Sequence, residues 1–176
     1  MTQYYLDIET TGLNPQKDKI ISIQYQKIYN NGNPLGQLNI LKEWESSEKE
    51  IVEKFYKEFM QDNVWDFVPI MNNSIFDLTF LFSKFKQYNL ECPELSNYLY
   101  QKPLVDIKYI LIMCNGLIFK GAGLDKITNK KDEGRMVAEW YRLQDYDAIE
   151  SYVTQETESF LEFFRKCMEE FQKLKK

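Results

Sequence analysis

Period-two alternation near the start of the chain constrains its fold more than any other feature. In Gln3-Tyr4-Tyr5-Leu6-Asp7-Ile8-Glu9, Tyr4, Leu6 and Ile8 fall on one face and Tyr5, Asp7 and Glu9 on the other, the pattern of a strand. Thr10-Thr11-Gly12-Leu13-Asn14-Pro15 interrupts it with turn-forming residues, and Ile20-Ile21-Ser22-Ile23-Gln24-Tyr25 resumes it as a second strand. Asn30-Asn31-Gly32-Asn33-Pro34 then turns into a third strand around 37–44, so the opening predicts an antiparallel meander.

Beyond Ser46-Ser47 the period changes. Ile51, Phe55 and Phe59 recur at helical spacing. Residues 65–71 form a short, almost wholly apolar run, the mark of a strand covered on both faces. Asn72-Asn73-Ser74 opens a helix carrying Phe76, Phe80, Leu81 and Phe85. Segment 104–113 is apolar enough to be strand or helix, and periodicity does not choose. Gly121-Ala122-Gly123 precedes a short helix through Leu124 and Ile127, and 130–134 is a polar loop. A long terminal helix runs from about residue 148, with Asp147 and Glu150 as its N-terminal cap. Meander strands followed by alternating helices and strands predict a mixed α/β sheet flanked by helices. The 176 residues suit a single domain, 1–176.

Composition narrows the function. With 44% apolar and 15% aromatic residues, the chain has material for a sizeable core. No apolar stretch approaches the roughly 20 residues of a membrane span, and Met1-Thr2-Gln3-Tyr4 lacks the basic start of a signal peptide, which predicts a cytoplasmic protein. Cys92, Cys114 and Cys167 are scattered without a CxxC spacing, so they read as reduced, mostly buried side chains. A net charge of −5 argues against a protein that coats nucleic acid, though not against an enzyme whose acids are neutralised by cations. Histidine is absent, which removes every mechanism built on an imidazole.

Without histidine, phosphodiester hydrolysis is best served by paired divalent cations held on carboxylates, and several acids are candidates. Asp7 and Glu9 share a strand face, which is also what the solvated side of an edge strand looks like. Ser74-x-x-Asp77 has the spacing of a capping box, and Asp77 is equally an acid at a helix start. Near the end, Tyr141…Asp145, Tyr146…Glu150 and Tyr152…Glu156 each put an acid one helical turn after a tyrosine. Only the first is a literal Tyr-x-x-x-Asp. Helical spacing favours the last: Ile149, Val153, Glu156, Phe160, Phe163 and Phe164 fall on one stripe, where an acid is costly unless it meets a cation. The plainer reading of Glu156 is a partly exposed acid at the stripe's edge.

The run Tyr5-Leu6-Asp7-Ile8-Glu9-Thr10-Thr11-Gly12-Leu13 closely resembles the first motif of the DEDD superfamily of 3′→5′ exonucleases, the DnaQ-like nucleases. Asn73-Ser74-Ile75-Phe76-Asp77 resembles the second motif, and Tyr152…Glu156 the third motif of the tyrosine branch, with Glu where the family has Asp. The resemblance implies a ribonuclease-H-like fold: a mixed five-stranded sheet, three strands antiparallel and the rest parallel. It implies two ions, Mg²⁺ or Mn²⁺, with Asp7, Glu9, Asp77 and Glu156 as ligands and Tyr152 orienting the attacking water. It further implies a single-stranded 3′ end of DNA or RNA as substrate and 5′-mononucleotides as products. Thr10, Thr11, Gly12, Leu13, Asn73 and Phe76 would meet the terminal nucleotide, with Leu13 as a wedge. Asp106 falls where such enzymes have a supporting acid. A protein partner would supply targeting.

Lys126, Lys130, Lys131 and Arg135 form a basic cluster, either phosphate-binding or simply solvated. Lys173-Leu174-Lys175-Lys176 suits a helix end. Two rivals share the fold: a non-catalytic nucleic-acid-binding or scaffolding module, and an endonuclease of the ribonuclease H type.

Overall fold

A computed structural model describes residues 1–63, 65–127 and 134–174 of the chain. Its strands are β1 (Gln3–Thr10), β2 (Ile20–Ile28), β3 (Asn39–Lys42), β4 (Val68–Met71) and β5 (Val105–Asp106), in the order β3-β2-β1-β4-β5. The meander β1–β2–β3 is antiparallel, while β4 and β5 run parallel to β1. The helices are α1 (Glu48–Phe59), α2 (Ser74–Gln87), α3 (Leu95–Gln101), α4 (Lys108–Cys114), α5 (Leu124–Ile127), α6 (Val137–Leu143) and α7 (Tyr146–Lys173). This is the mixed five-stranded, ribonuclease-H-like sheet that the strand pattern and the resemblance predict.

Alternation in β1 divides the core. Leu6 and Ile8 join Ile23, Tyr25 and Leu41 under α1 and α2, through Ile51, Val52, Phe55, Leu78, Leu81 and Phe85. Tyr5, on the opposite face, packs on Phe160 of α7 with ring centroids 4.8 Å apart. The register slips between Glu9 and Thr10, leaving Ile21 as an extra residue in β2. Ile21 turns into a third cluster with Val137, Ile149, Tyr152 and Val153, so the α7 face has apolar contacts at both ends. Asp7 and Glu9 lie between them.

Several boundaries differ from those the sequence predicts. The strand expected over 65–71 begins at Val68, because β1 starts at Gln3, whose partner is Val68; before that, Trp65 sits half-exposed in a turn and its carbonyl accepts the Thr2 amide. Segment 104–113 is both things it resembled, a two-residue strand and then α4. Helices α3 and α6 are unanticipated. The terminal helix begins at Tyr146, capped by Asp145, whose carboxylate accepts the Ala148 amide at 3.3 Å, so the cap lies before the Asp147 expected from the sequence. The cysteines are free, but only Cys167 is buried, with Cys92 half-buried and Cys114 exposed. Lys126 pairs with Asp125 at 2.8 Å. Lys130, Lys131, Lys175 and Lys176 lie outside the described residues. Among the described residues no helix is long and apolar enough to cross a membrane.

Candidate active site

The site forms where β1 outruns its parallel neighbour. Pairing of β1 with β4 stops at Tyr5 opposite Ile70, so the edge of β1 beyond it lacks a strand partner. Asp77, from the first turn of α2, fills that gap, its Oδ1 accepting the Ile8 amide at 3.2 Å. A buried amide without a partner is costly, and the carboxylate removes that cost while standing beside Asp7. Asp77 is 3% exposed. Burial and then the neighbouring Asp7 hold its carboxyl well above the usual range, the Ile8 amide pulls it partly back, and Glu156 raises it further.

Strand alternation sends Asp7 and Glu9 to the α7 face, and α7 returns Glu156 to meet them. Ligand oxygens of Asp7, Glu9 and Glu156 all lie within 4.8 Å of one another, each side chain half-buried. Tyr152, one turn before Glu156, stands beside its carboxylate. Burial, then Glu156 and Glu9, push the Tyr152 phenol above its ordinary value. Its hydroxyl therefore stays protonated in the physiological range. Gly134 lies against it: a β-carbon there would be 2.9 Å from the Tyr152 oxygen. No sequence signal marked that glycine.

The competing registers are used elsewhere. The Tyr141 hydroxyl donates to Glu43, and Asp145 is the helix cap. Glu150 pairs with Lys42 at 2.7 Å. Neither Asp145 nor Glu150 belongs to the acid group with Asp7 and Glu9.

The start of α2 is not held by the Ser74-x-x-Asp77 box, because Asp77 is occupied with Ile8. Asp106, at the end of β5, takes that task from across the sheet. Its oxygens accept the Asn73 amide at 3.0 Å, the Ser74 amide and hydroxyl at 2.9 Å each, and the Lys108 amide at 2.9 Å. One carboxylate thus caps the starts of α2 and α4, which gives the acid between the second and third motifs a concrete role. Asn73 itself adopts a left-handed conformation, φ 64°, and its Oδ1 accepts Lys108 Nζ at 2.6 Å.

Of the residues expected at a terminal nucleotide, Leu13, Asn73 and Phe76 come together. They line an open notch of about 270 Å³ with Pro15, Ile75 and Phe80, and Leu13 is 83% exposed at its rim. Thr79, in the wall of this notch, also borders a larger groove of about 610 Å³ lined by Gln16, Ser83 and Lys86. The threonine hydroxyls turn inward instead. Thr10 Oγ1 donates to Gly12 O at 2.6 Å, and Thr11 Oγ1 accepts the Lys19 amide at 2.9 Å, stitching the turn to β2. At Gly12 a β-carbon would sit 2.5 Å from the Asp18 carboxylate, which would have to move from the Asn14 amide that it accepts.

A group of three hard carboxylates with a fourth buried beside it suits a hard divalent cation, which favours oxygen ligands. Asp77, expected as a fourth ligand, lies close enough to Asp7 to be affected by its charge, but its contact is the Ile8 amide and it lies outside the 4.8 Å set.

Comparison with known proteins agrees with this architecture. An exonuclease I, described for how its processivity is achieved, is similar with a TM-score of 0.56 at 13% identity, over 71% of this chain and 34% of that one. E. coli exonuclease I in complex with a dT13 oligonucleotide is similar with a TM-score of 0.54 at 14% identity, over 68% of this chain and 31% of that one. A product-bound exonuclease I gives 0.53 at 14% identity, over 76% and 35%. At such identities the likeness is one of fold, and this chain spans about a third of the length of those chains. No curated protein matches it. The RNase_H superfamily profile matches residues 4–162, a span that contains both β1 acids, Asp77 and the Tyr152–Glu156 turn, and the chain belongs to that superfamily.

Proposed function

We propose that this chain is a metal-dependent 3′→5′ exonuclease that hydrolyses single-stranded DNA or RNA ends and releases 5′-mononucleotides. The observation that carries the reading is the convergence of Asp7, Glu9 and Glu156 from opposite ends of the chain, within 4.8 Å, beside buried Asp77. Four acids so close repel one another, and divalent ions relieve that repulsion. The fold shared with exonuclease I, which has been seen with dT13 and dA16 oligonucleotides, supports nucleic acid as the partner.

Asp7, Glu9, Asp77 and Glu156 would hold two Mg²⁺ or Mn²⁺ ions, which when bound supply a lowered pKa for attacking water and charge neutralisation at the leaving oxygen. Tyr152, kept protonated by its surroundings, orients water as a hydrogen-bond donor and does not serve as a base. The notch between Leu13 and Phe76 receives the terminal base, Leu13 acting as the wedge, and the backbone of Thr10, Thr11 and Gly12 borders the sugar. Asn73, locked by Lys108, fixes the rim. We read 1–176 as one exonuclease-like domain, because the family match leaves only short flanks.

The test is release of nucleotides from a 5′-labelled single strand in Mg²⁺ or Mn²⁺, with EDTA and Asp7→Asn as controls. Stepwise shortening from the 3′ end is expected. Loss of a charge-stabilising ligand worth several kcal/mol lowers the rate roughly a thousandfold in Asp7→Asn. Cleavage of a closed circular strand would identify an endonuclease instead. Binding without any metal-dependent release would identify a non-catalytic module.

A further inference from the structure

Under α7, β2 carries Ser22, Gln24 and Gln26 at positions where an apolar face would carry aliphatic residues. Ser22 and Gln24 are 0% exposed. Gln26 is satisfied, its Nε2 donating to Gly36 O at 2.9 Å. Gln24 differs: among the described residues neither its Nε2 nor its Oε1 has a hydrogen-bond partner, and the Ser22 hydroxyl is likewise unpaired. An orphaned amide in a closed interior costs stability that leucine at the same place would not cost.

The register indicates what offsets that cost. Gln24 lies directly opposite Asp7 and Ser22 directly opposite Glu9. Opposed residues on one sheet face have β-carbons about 4.5–5.5 Å apart, within the span of a glutamine amide. On its other side Gln24 opposes Ile40, which packs with Ile21, Tyr152 and Val153 and has no side-chain acceptor to give. Of the two residues that oppose Gln24 in the sheet, Asp7 thus carries the acceptor.

We propose that Gln24 is a positioning residue of the acid pocket, its amide N–H holding the Asp7 carboxylate in the orientation that takes up a divalent cation, with Ser22 supporting Glu9 in the same way. This rests on the metal-site reading above. Asp7, Glu9 and Glu156 would hold the cation, and with the Asp7 carboxylate so fixed the Gln24 amide would have its acceptor. Groups that orient metal ligands typically govern affinity by 10–100-fold.

Calorimetric titration with Mn²⁺ separates the possibilities, using the whole chain as wild type, Asp7→Asn, Gln24→Leu and Ser22→Ala, with thermal unfolding in EDTA alongside. Gln24→Leu is expected to bind Mn²⁺ about 10–100-fold more weakly, with an unfolding temperature in EDTA equal to or above that of wild type. Gln24→Met serves if leucine disturbs folding, since it keeps the unbranched stem without the amide. A purely structural glutamine would change the unfolding temperature and leave Mn²⁺ affinity alone. Wild-type binding matched by a folded Gln24→Leu or Gln24→Met overturns the Gln24 role by itself. A wild type that takes up no Mn²⁺ overturns the metal-site reading and this inference together.

Discussion

Asp77 does two things that conflict at neutral pH: it satisfies a backbone amide of β1 and it adds a charge to a crowded acidic pocket. Its folded pKa is raised by burial first and Asp7 second. A carboxyl raised in this way stabilises the fold while protonated. That contribution is complete below the unfolded carboxylate range and is lost as pH rises through the raised value. Asp77→Asn keeps an oxygen for the Ile8 amide and removes the charge. In EDTA, urea unfolding is therefore expected to find the variant more stable than wild type at pH 8, where the buried carboxyl of the wild type must ionise. Below the unfolded carboxylate value, about pH 3.9, the two should converge. Nuclease activity of the variant should fall at pH 8. Equal stability at pH 8 would mean that Asp77 is not held in the crowded, buried setting described.

At the scale of elements, the start of α2 depends on a residue from another strand. Asp106 receives four hydrogen bonds at the mouths of α2 and α4. Loss of one helix cap typically costs about 1 kcal/mol, so Asp106→Ala should lose roughly 2 kcal/mol. Because Asp77 sits in the first turn of α2, a frayed start also weakens its contact with Ile8, and hydrogen exchange at the Ile8 amide should quicken. Ser47→Ala at the α1 cap, far from the acids, is the control: its loss of about 1 kcal/mol should leave Ile8 exchange unchanged relative to the rest of β1. Such capping from a distance is invisible to local pattern reading, in which Ser74 and Asp77, three apart, merely have the spacing of a box. What was legible is what periodicity carries: the faces of β1, the stripe of α7, and with it the placement of Glu156 beside Asp7 and Glu9. The two-residue β5, helices α3 and α6, and the orphaned Gln24 depend on pairing across the sheet, and their neighbours in sequence do not encode it.

Over the whole molecule, the acids tie together segments that meet only in the folded state. Asp7 and Glu9 lie near one end of the chain and Glu156 near the other, so a cation bound between them favours the folded chain over the unfolded one. A ligand present at a hundred times its dissociation constant adds about 2.7 kcal/mol to stability, which for a chain of this size raises the unfolding temperature by roughly 5–10 °C. Mn²⁺ should therefore raise the unfolding temperature of wild type by that amount and leave Asp7→Asn and Glu156→Gln nearly unmoved. Ionic screening alone would act differently. With a net charge of −5, added NaCl relieves repulsion across the entire surface, so it should shift wild type and both variants alike. An Mn²⁺ effect that NaCl at matched ionic strength reproduces would point to screening, whereas an effect confined to chains with intact Asp7 and Glu156 requires ions held between β1 and α7.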